Sequence, residues 1–115
     1  MSARIITELF RAVDSHDWDM IAQLCHPDIV YERPGYEPFV GLPRVLHFYQ
    51  YERVLASGGH ELEQIVVEED HAACWGRFVG FKKDGTPADV RFADVYSFAD
   101  GKIKTRRTYF FQPAV

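Results

Sequence analysis

The sequence predicts an α+β fold in which three N-terminal helices pack on a strongly curved, mainly antiparallel sheet. Three observations predict it. Apolar residues recur at helical spacing through the first half of the chain and with a period of two from His60 onward. Turn signals at Glu69-Asp70, Asp84-Gly85 and Asp100-Gly101 cut that second half into four long strands. A meander of this size needs one face covered, and three amphipathic helices are present to cover it.

The elements follow in order. Ile5, Ile6, Leu9, Phe10 and Val13 share one helical face, which predicts a first helix over residues 3–14. Ser15-His16-Asp17 interrupts it, and Asp17 suits the N-cap of a second helix. Trp18, Ile21, Leu24 and Cys25 form the apolar stripe of that helix, which Pro27 ends. Residues 29–33 read as a short strand stopped by Pro34-Gly35. Gly41-Leu42-Pro43 opens a third helix with proline in its tolerated first turn. Val45, Phe48, Tyr49 and Glu52 are its inner face, and Ser57-Gly58-Gly59 closes it. Residues 60–68, 72–82, 88–98 and 102–111 are the four strands of the meander. No repeat, linker or low-complexity tract interrupts the chain, so 1–115 reads as a single domain.

Composition bounds the function. The 115 residues are 47% hydrophobic and 26% charged, a folding composition with one modest core. Aromatic residues reach 15%, which suits a packed sheet or an apolar pocket. The net charge of -4 argues against a nucleic-acid binder or a binder of anionic membranes. Two cysteines, Cys25 and Cys74, are too few for a disulfide scaffold or a cysteine-based zinc site. The amino-terminal residues lack the apolar run of a signal peptide, and nothing approaches the ~18 apolar residues of a membrane span. The expected setting is soluble, reduced and cytoplasmic.

The turns imply registers. A two-residue type I′ turn at Asp84-Gly85 would set Phe81 beside Ala88, Val79 beside Val90, Arg77 beside Phe92 and Trp75 beside Asp94. A three-residue loop ending at Gly101 would set Tyr96 opposite Lys104, Asp94 opposite Arg106 and Phe92 opposite Thr108. One face of the third meander strand then reads Val90, Phe92, Asp94, Tyr96, Phe98. Asp94 interrupts that aromatic face, where a carboxylate needs a partner. The preceding strand repeats the pattern with Trp75, Arg77, Val79 and Phe81. These registers bring Asp94, Arg77 and Arg106 onto one face. Two readings stand: an ion pair that shores up the sheet, or a polar constellation on the floor of an apolar small-molecule cavity.

Other candidates are weaker. His16, His26 and His71 fall at turns or helix ends, His47 points outward from the third helix, and His60 opens the meander where it could reach a cavity mouth. No spacing of His, Cys or Asp supports a metal. Gly58-Gly59 is a helix stop rather than a phosphate loop, because no helix follows it. Lys82-Lys83 and Arg106-Arg107 are too short for a nucleic-acid footprint.

The chain resembles the nuclear transport factor 2-like superfamily, and within it the SnoaL-like and ketosteroid-isomerase-like small enzymes. The resemblance rests on Val13-Asp-Ser-His-Asp-Trp18, Pro27-Asp-Ile-Val-Tyr31, Gly41 with Val45 and Phe48-Tyr49, Phe92-Ala-Asp94-Val-Tyr96-Ser-Phe98, and Asp100-Gly-Lys-Ile103. It implies a cone-shaped, cystatin-like fold with a deep pocket between sheet and helices, often dimeric through the outer surface of the sheet. It also implies that Asp94 falls where ketosteroid isomerases keep an oxyanion-binding aspartic acid. Tyr31 and Arg77 match a water-binding tyrosine and a catalytic arginine of limonene epoxide hydrolases. Leu9 and Arg33 replace the tyrosine and base of the first family, and Val79 and Thr108 replace both aspartates of the second.

The resulting expectation is a cofactor-free, metal-free enzyme that isomerises, cyclises or dehydrates an apolar carbonyl-bearing metabolite such as a polyketide. Asp94 would move or orient a proton, with Arg77 and Tyr31 as the other catalytic groups. Arg33, Tyr49, Trp75, Phe92, Arg106 and Thr108 would bind substrate, the arginines suiting a carboxylate or enolate oxygen. The alternative is a non-catalytic module for an anionic ligand or for dimerisation. Ala72, Cys74, Phe78, Ala93 and Val95 would face away from the pocket and hold a homodimer together.

Overall fold

The computed structural model describes residues 3–112. Helix α1 (Ala3–Asp14) buries Ile6, Leu9, Phe10, Ala12 and Val13, as its apolar spacing requires. Helix α2 (Trp18–Leu24) is capped by Asp17, whose carboxylate accepts the Met20 amide at 3.1 Å. Strand β1 (Cys25–Glu32) follows directly, so Cys25 starts a strand rather than ending a helix. A short strand β2 (Phe39–Val40) precedes helix α3 (Leu42–His47), whose last turn widens into a π turn over Phe48–Glu52.

Strands β3 (Leu55–Glu68), β4 (His71–Lys82), β5 (Pro87–Ala99) and β6 (Lys102–Phe110) form the meander. The six strands lie in the order β2-β1-β6-β5-β4-β3, antiparallel except for the β1–β6 pair. The three helices cover one face of this sheet, and the core between them includes Ile6, Leu9, Ile21, Ile29, Phe39, Phe48, Phe98 and Ile103. The expected α+β architecture is the observed one.

Three local expectations fail, each for a physical reason. Ser57-Gly58-Gly59 does not close a helix, because β3 already begins at Leu55 and runs through it. Gly58 has φ +143°, and a Cβ there would lie 2.4 Å from the Val79 carbonyl oxygen on β4. The glycine therefore serves close strand approach.

The two hairpin turns are exchanged. Asp84 Oδ1 accepts the Thr86 amide at 2.9 Å, and Lys82 and Thr86 close a three-residue loop with Gly85 at φ +87°. At the next hairpin, Asp100 and Gly101 both have positive φ, 55° and 74°, and form the two-residue turn between Ala99 and Lys102.

The first exchange slips β4 by one residue against β5, pairing Cys74 with Asp94, Gly76 with Phe92 and Phe78 with Val90. A one-residue slip turns every side chain over. Trp75, Arg77, Val79 and Phe81 therefore lie on the exposed outer face, while Ala72, Cys74 and Phe78 are buried beneath the helices. Of the expected dimer face, only Ala93 and Val95 point outward. The second exchange, with a bulge between Ser97 and Phe98, displaces the β5–β6 register by two residues and preserves the faces. Asp94 and Arg106 stay on the inner side.

Candidate functional site

The inner face of β5 carries Phe92, Asp94 and Tyr96, and that of β6 carries Arg106 and Thr108. Asp94 is wholly buried and is met by three donors. Arg106 Nε donates to Oδ2 at 2.9 Å, the Tyr96 hydroxyl donates to Oδ2 at 2.7 Å, and the Thr108 hydroxyl donates to Oδ1 at 2.6 Å.

Thr108 has one proton and gives it to Asp94, so at the 3.0 Å contact between hydroxyls Tyr31 is the donor. Tyr31 in turn accepts Arg33 Nη1 at 3.0 Å. A directed chain thus runs from Arg33 through Tyr31 and Thr108 to Asp94. Burial works to raise the Tyr31 pKa, but Arg106 and Arg33, with the Thr108 hydrogen bond, outweigh it and hold it below its ordinary value of 10. Arg106 also donates Nη1 to the Tyr49 hydroxyl at 2.5 Å, and its guanidinium carbon lies 4.5 Å from the Tyr31 ring centroid. Burial pushes the Tyr49 phenol up to about 12.

A small enclosed cavity of about 20 Å³ lies over this cluster, with room for about one water. Arg33, Arg53, Asp94, Arg106 and Thr108 supply polar groups to its wall, and Phe10, Phe78, Phe92 and Phe110 supply rings. A second, open hollow of about 810 Å³ lies between α1 and β3. Phe10 and His60 line both spaces.

His60 packs against the rings of Phe10, Phe78 and Phe92 at centroid distances of 4.7, 4.8 and 5.5 Å. Its Nδ1 meets Asp14 Oδ1 at 2.5 Å, and its amide donates to Asp14 Oδ2 at 2.9 Å. Burial lowers the His60 pKa below 6.5, against the opposing pull of Asp14.

The structure brings together Tyr31, Arg33, Tyr49, Phe92, Asp94, Arg106 and Thr108. It does not bring in Trp75 or Arg77. Trp75 borders a hollow on the outer face beside Tyr109, and Arg77 pairs across the outer face with Asp89, Nε to Oδ1 at 2.6 Å. The β4 residues that face inward beside Asp94 are Cys74 and Gly76.

Sequence reasoning missed Arg53, Tyr96 and the His60–Asp14 pair. Tyr96 was detectable, since it lies two residues from Asp94 on the same strand face. Asp14 and His60 stand 46 residues apart, with no spacing signal to join them. Among the described residues, no three His, Cys, Asp or Glu side chains group to hold a metal, and no helix is long and apolar enough to cross a membrane.

A family model described as a SnoaL-like domain matches residues 6–106. No curated protein sequence matches the chain. A candidate SnoaL-like polyketide cyclase from Jannaschia sp. CCS1 superposes with a TM-score of 0.83 at 16% identity, over 94% of this chain and 83% of that one. A protein of ketosteroid isomerase-like fold from Catenulispora acidiphila DSM 44928, in complex with trimethylamine, gives 0.82 at 15% identity over 95% and 86%. An LEH-like epoxide hydrolase of M. tuberculosis gives 0.81 at 18% identity over 93% and 80%. At these identities the likeness is one of fold.

Proposed function

The chain belongs to the SnoaL-like domain family, and we propose that it is a small cofactor-independent enzyme performing acid–base chemistry on an apolar carbonyl-bearing metabolite such as a polyketide. The observation that carries this reading is Asp94, a fully buried carboxylate on the floor of an aromatic cavity with Arg33 and Arg106 in the same wall. Among the described residues its Oδ1 accepts only Thr108, and it has capacity left for a substrate proton. Asp94 would take a proton from the carbon beside the carbonyl. The C–H electron pair becomes the enolate, and Arg106 and Arg33 hold the developing negative oxygen. Return of that proton to another carbon gives an isomerisation, and its delivery to a departing hydroxyl gives a dehydration. The cyclase-like and hydrolase-like neighbours support small-molecule chemistry in this fold without specifying it.

The test is turnover and affinity on one bound carbonyl compound, compared between wild type and Asp94→Asn. Proton transfer by a positioned carboxylate is worth ~10²–10⁴-fold in rate, so the variant should lose turnover on that scale and largely keep affinity. Full turnover in Asp94→Asn would remove the catalytic role. One observation favours a second reading, a non-catalytic module for an anionic ligand: three donors already meet Asp94, which suffices to order Arg106. Under that reading Asp94→Asn binds anions as well or better, and wild type turns nothing over.

The same reading includes a homodimer through the outer sheet face. Trp75, Val79, Phe81, Val95, Tyr109 and Phe111 are each at least 40% exposed there, more apolar surface than a monomer usually leaves wet. Light scattering should give a dimer at micromolar concentration and a monomer for Val95→Glu. A monomeric wild type would refute the dimer. Two free, buried thiols, each pushed up to about 11 by burial, support a reducing cytoplasmic setting.

A further inference from the structure

We propose that the inner cavity seats a carboxylate, and that Arg53 is the residue that reads it. The inference rests on the reading that this cavity is the ligand site, and it adds the substrate class: an acid rather than a neutral carbonyl compound.

Arg53 follows the π turn, is only 6% exposed, and lines the cavity. Its guanidinium carbon lies 5.7 Å from the Tyr49 ring centroid and 5.5 Å from that of Phe78. Beyond these ring faces it has no counter-ion among the described residues, and its buried Nε has no hydrogen-bond partner. A guanidinium keeps its proton and is costly to bury without an anion.

The carboxylate inside the cavity does not serve: among the described residues Asp94 pairs its charge with Arg106 and makes no hydrogen bond or ion pair to Arg53. Burial also pulls the Arg53 pKa below its ordinary value, the direction expected of a cation without a partner. Two oxygens in one plane match the guanidinium fork, so a carboxylate fits the deficit in both charge and shape.

The cavity, at about 20 Å³, has room for about one water, so a carboxylate enters it only when Phe10 and His60, which line both this cavity and the hollow between α1 and β3, move apart. The ligand's apolar body would then lie in that hollow, with its head on Arg53.

Benzoate and benzamide test the proposal, added separately to the isotope-labelled full chain and followed by amide chemical shifts and melting temperature. Wild type, Arg53→Lys and Arg53→Met are compared. Benzoate should shift the amides of Leu55, His60 and Phe78 in wild type, bind about tenfold or more tighter than benzamide, and weaken in Arg53→Lys. Arg53→Met without ligand should melt above wild type, since it removes a buried uncompensated charge, and should no longer bind benzoate. Benzamide binding as well as benzoate, or benzoate binding undiminished in Arg53→Met, overturns the carboxylate assignment while leaving the cavity as a ligand site. An Arg53→Met variant that melts below wild type makes Arg53 structural and overturns it equally. Shifts confined to outer-face residues such as Trp75 and Tyr109, or none with either compound, overturn both the proposal and the reading beneath it.

Discussion

Thr108 stands directly across the β5–β6 ladder from Asp94 and gives it a hydroxyl proton at 2.6 Å. That bond fixes the direction of the bond between Tyr31 and Thr108. Tyr31 must donate to Thr108, which leaves the Tyr31 oxygen to accept from Arg33. On the other side, Tyr96 spends its proton on Asp94 Oδ2, so the Cys74 thiol is the donor in their 3.6 Å contact. A buried hydrogen-bonded network of this kind is rigid, and it aims Arg106 and Thr108 at one small cavity.

Asp94 and Arg106 should behave as one unit in stability. Both are buried, at 0% and 7% side-chain exposure, and lie 2.9 Å apart. Asp94→Asn or Arg106→Met should each cost about 2–4 kcal/mol, because each leaves a buried charge without its partner. The double variant should cost less than the sum. Urea unfolding of the four proteins measures the coupling, and strict additivity would mean that the pair does not form in solution.

The fold was legible because helix and strand periods change once, sharply, at the start of the meander. The site was legible where an out-of-place residue marked it, as Asp94 does among Phe92, Tyr96 and Phe98. The β4 faces were not legible, for a reason visible in the side chains. The buried face of β4 is Ala72, Cys74, Gly76, Phe78 and Gly80, while the exposed face offers Trp75, Val79 and Phe81. Hydrophobic alternation points to the larger residues, but at Gly76 and Gly80 the β3 backbone presses too closely for any side chain, which breaks the apolar pattern of the buried face. Arg77 was carried to the wrong face by that inversion. Arg53 was hidden differently, since the π turn over Phe48–Glu52 breaks the helical period that would have placed it.

That crowding makes Gly76 a sensitive position. A Cβ at Gly76 would lie 1.9 Å from the Glu61 carbonyl oxygen, a backbone atom that cannot swing aside. It sits opposite Leu62, next to the bulge between Leu62 and Gln64. Gly76→Ala should therefore destabilise by about 1–3 kcal/mol, the usual cost of overpacking. Urea unfolding checks it, and a variant as stable as wild type would mean that β3 and β4 are not in this register.

The His60–Asp14 pair predicts how stability depends on pH. Burial holds the His60 pKa below 6.5 in the folded chain, with Arg53 and Arg106 adding to the effect and Asp14 opposing it. Unfolded, the same imidazole titrates near 6.5. Below that pH the unfolded chain binds a proton that the folded chain refuses, so the unfolded state gains. The His60 contribution is thus complete above 6.5 and is lost as the pH falls toward the folded pKa. The melting temperature should decline over this window in wild type, and His60→Gln should flatten the decline. Asp14→Asn removes the group that supports the imidazolium, so it should depress the His60 pKa further. An NMR titration of the His60 ring reads both effects. A midpoint above 6.5 in wild type would show that the carboxylate and not burial governs this histidine, and one that rises in Asp14→Asn would show that Asp14 does not support the imidazolium.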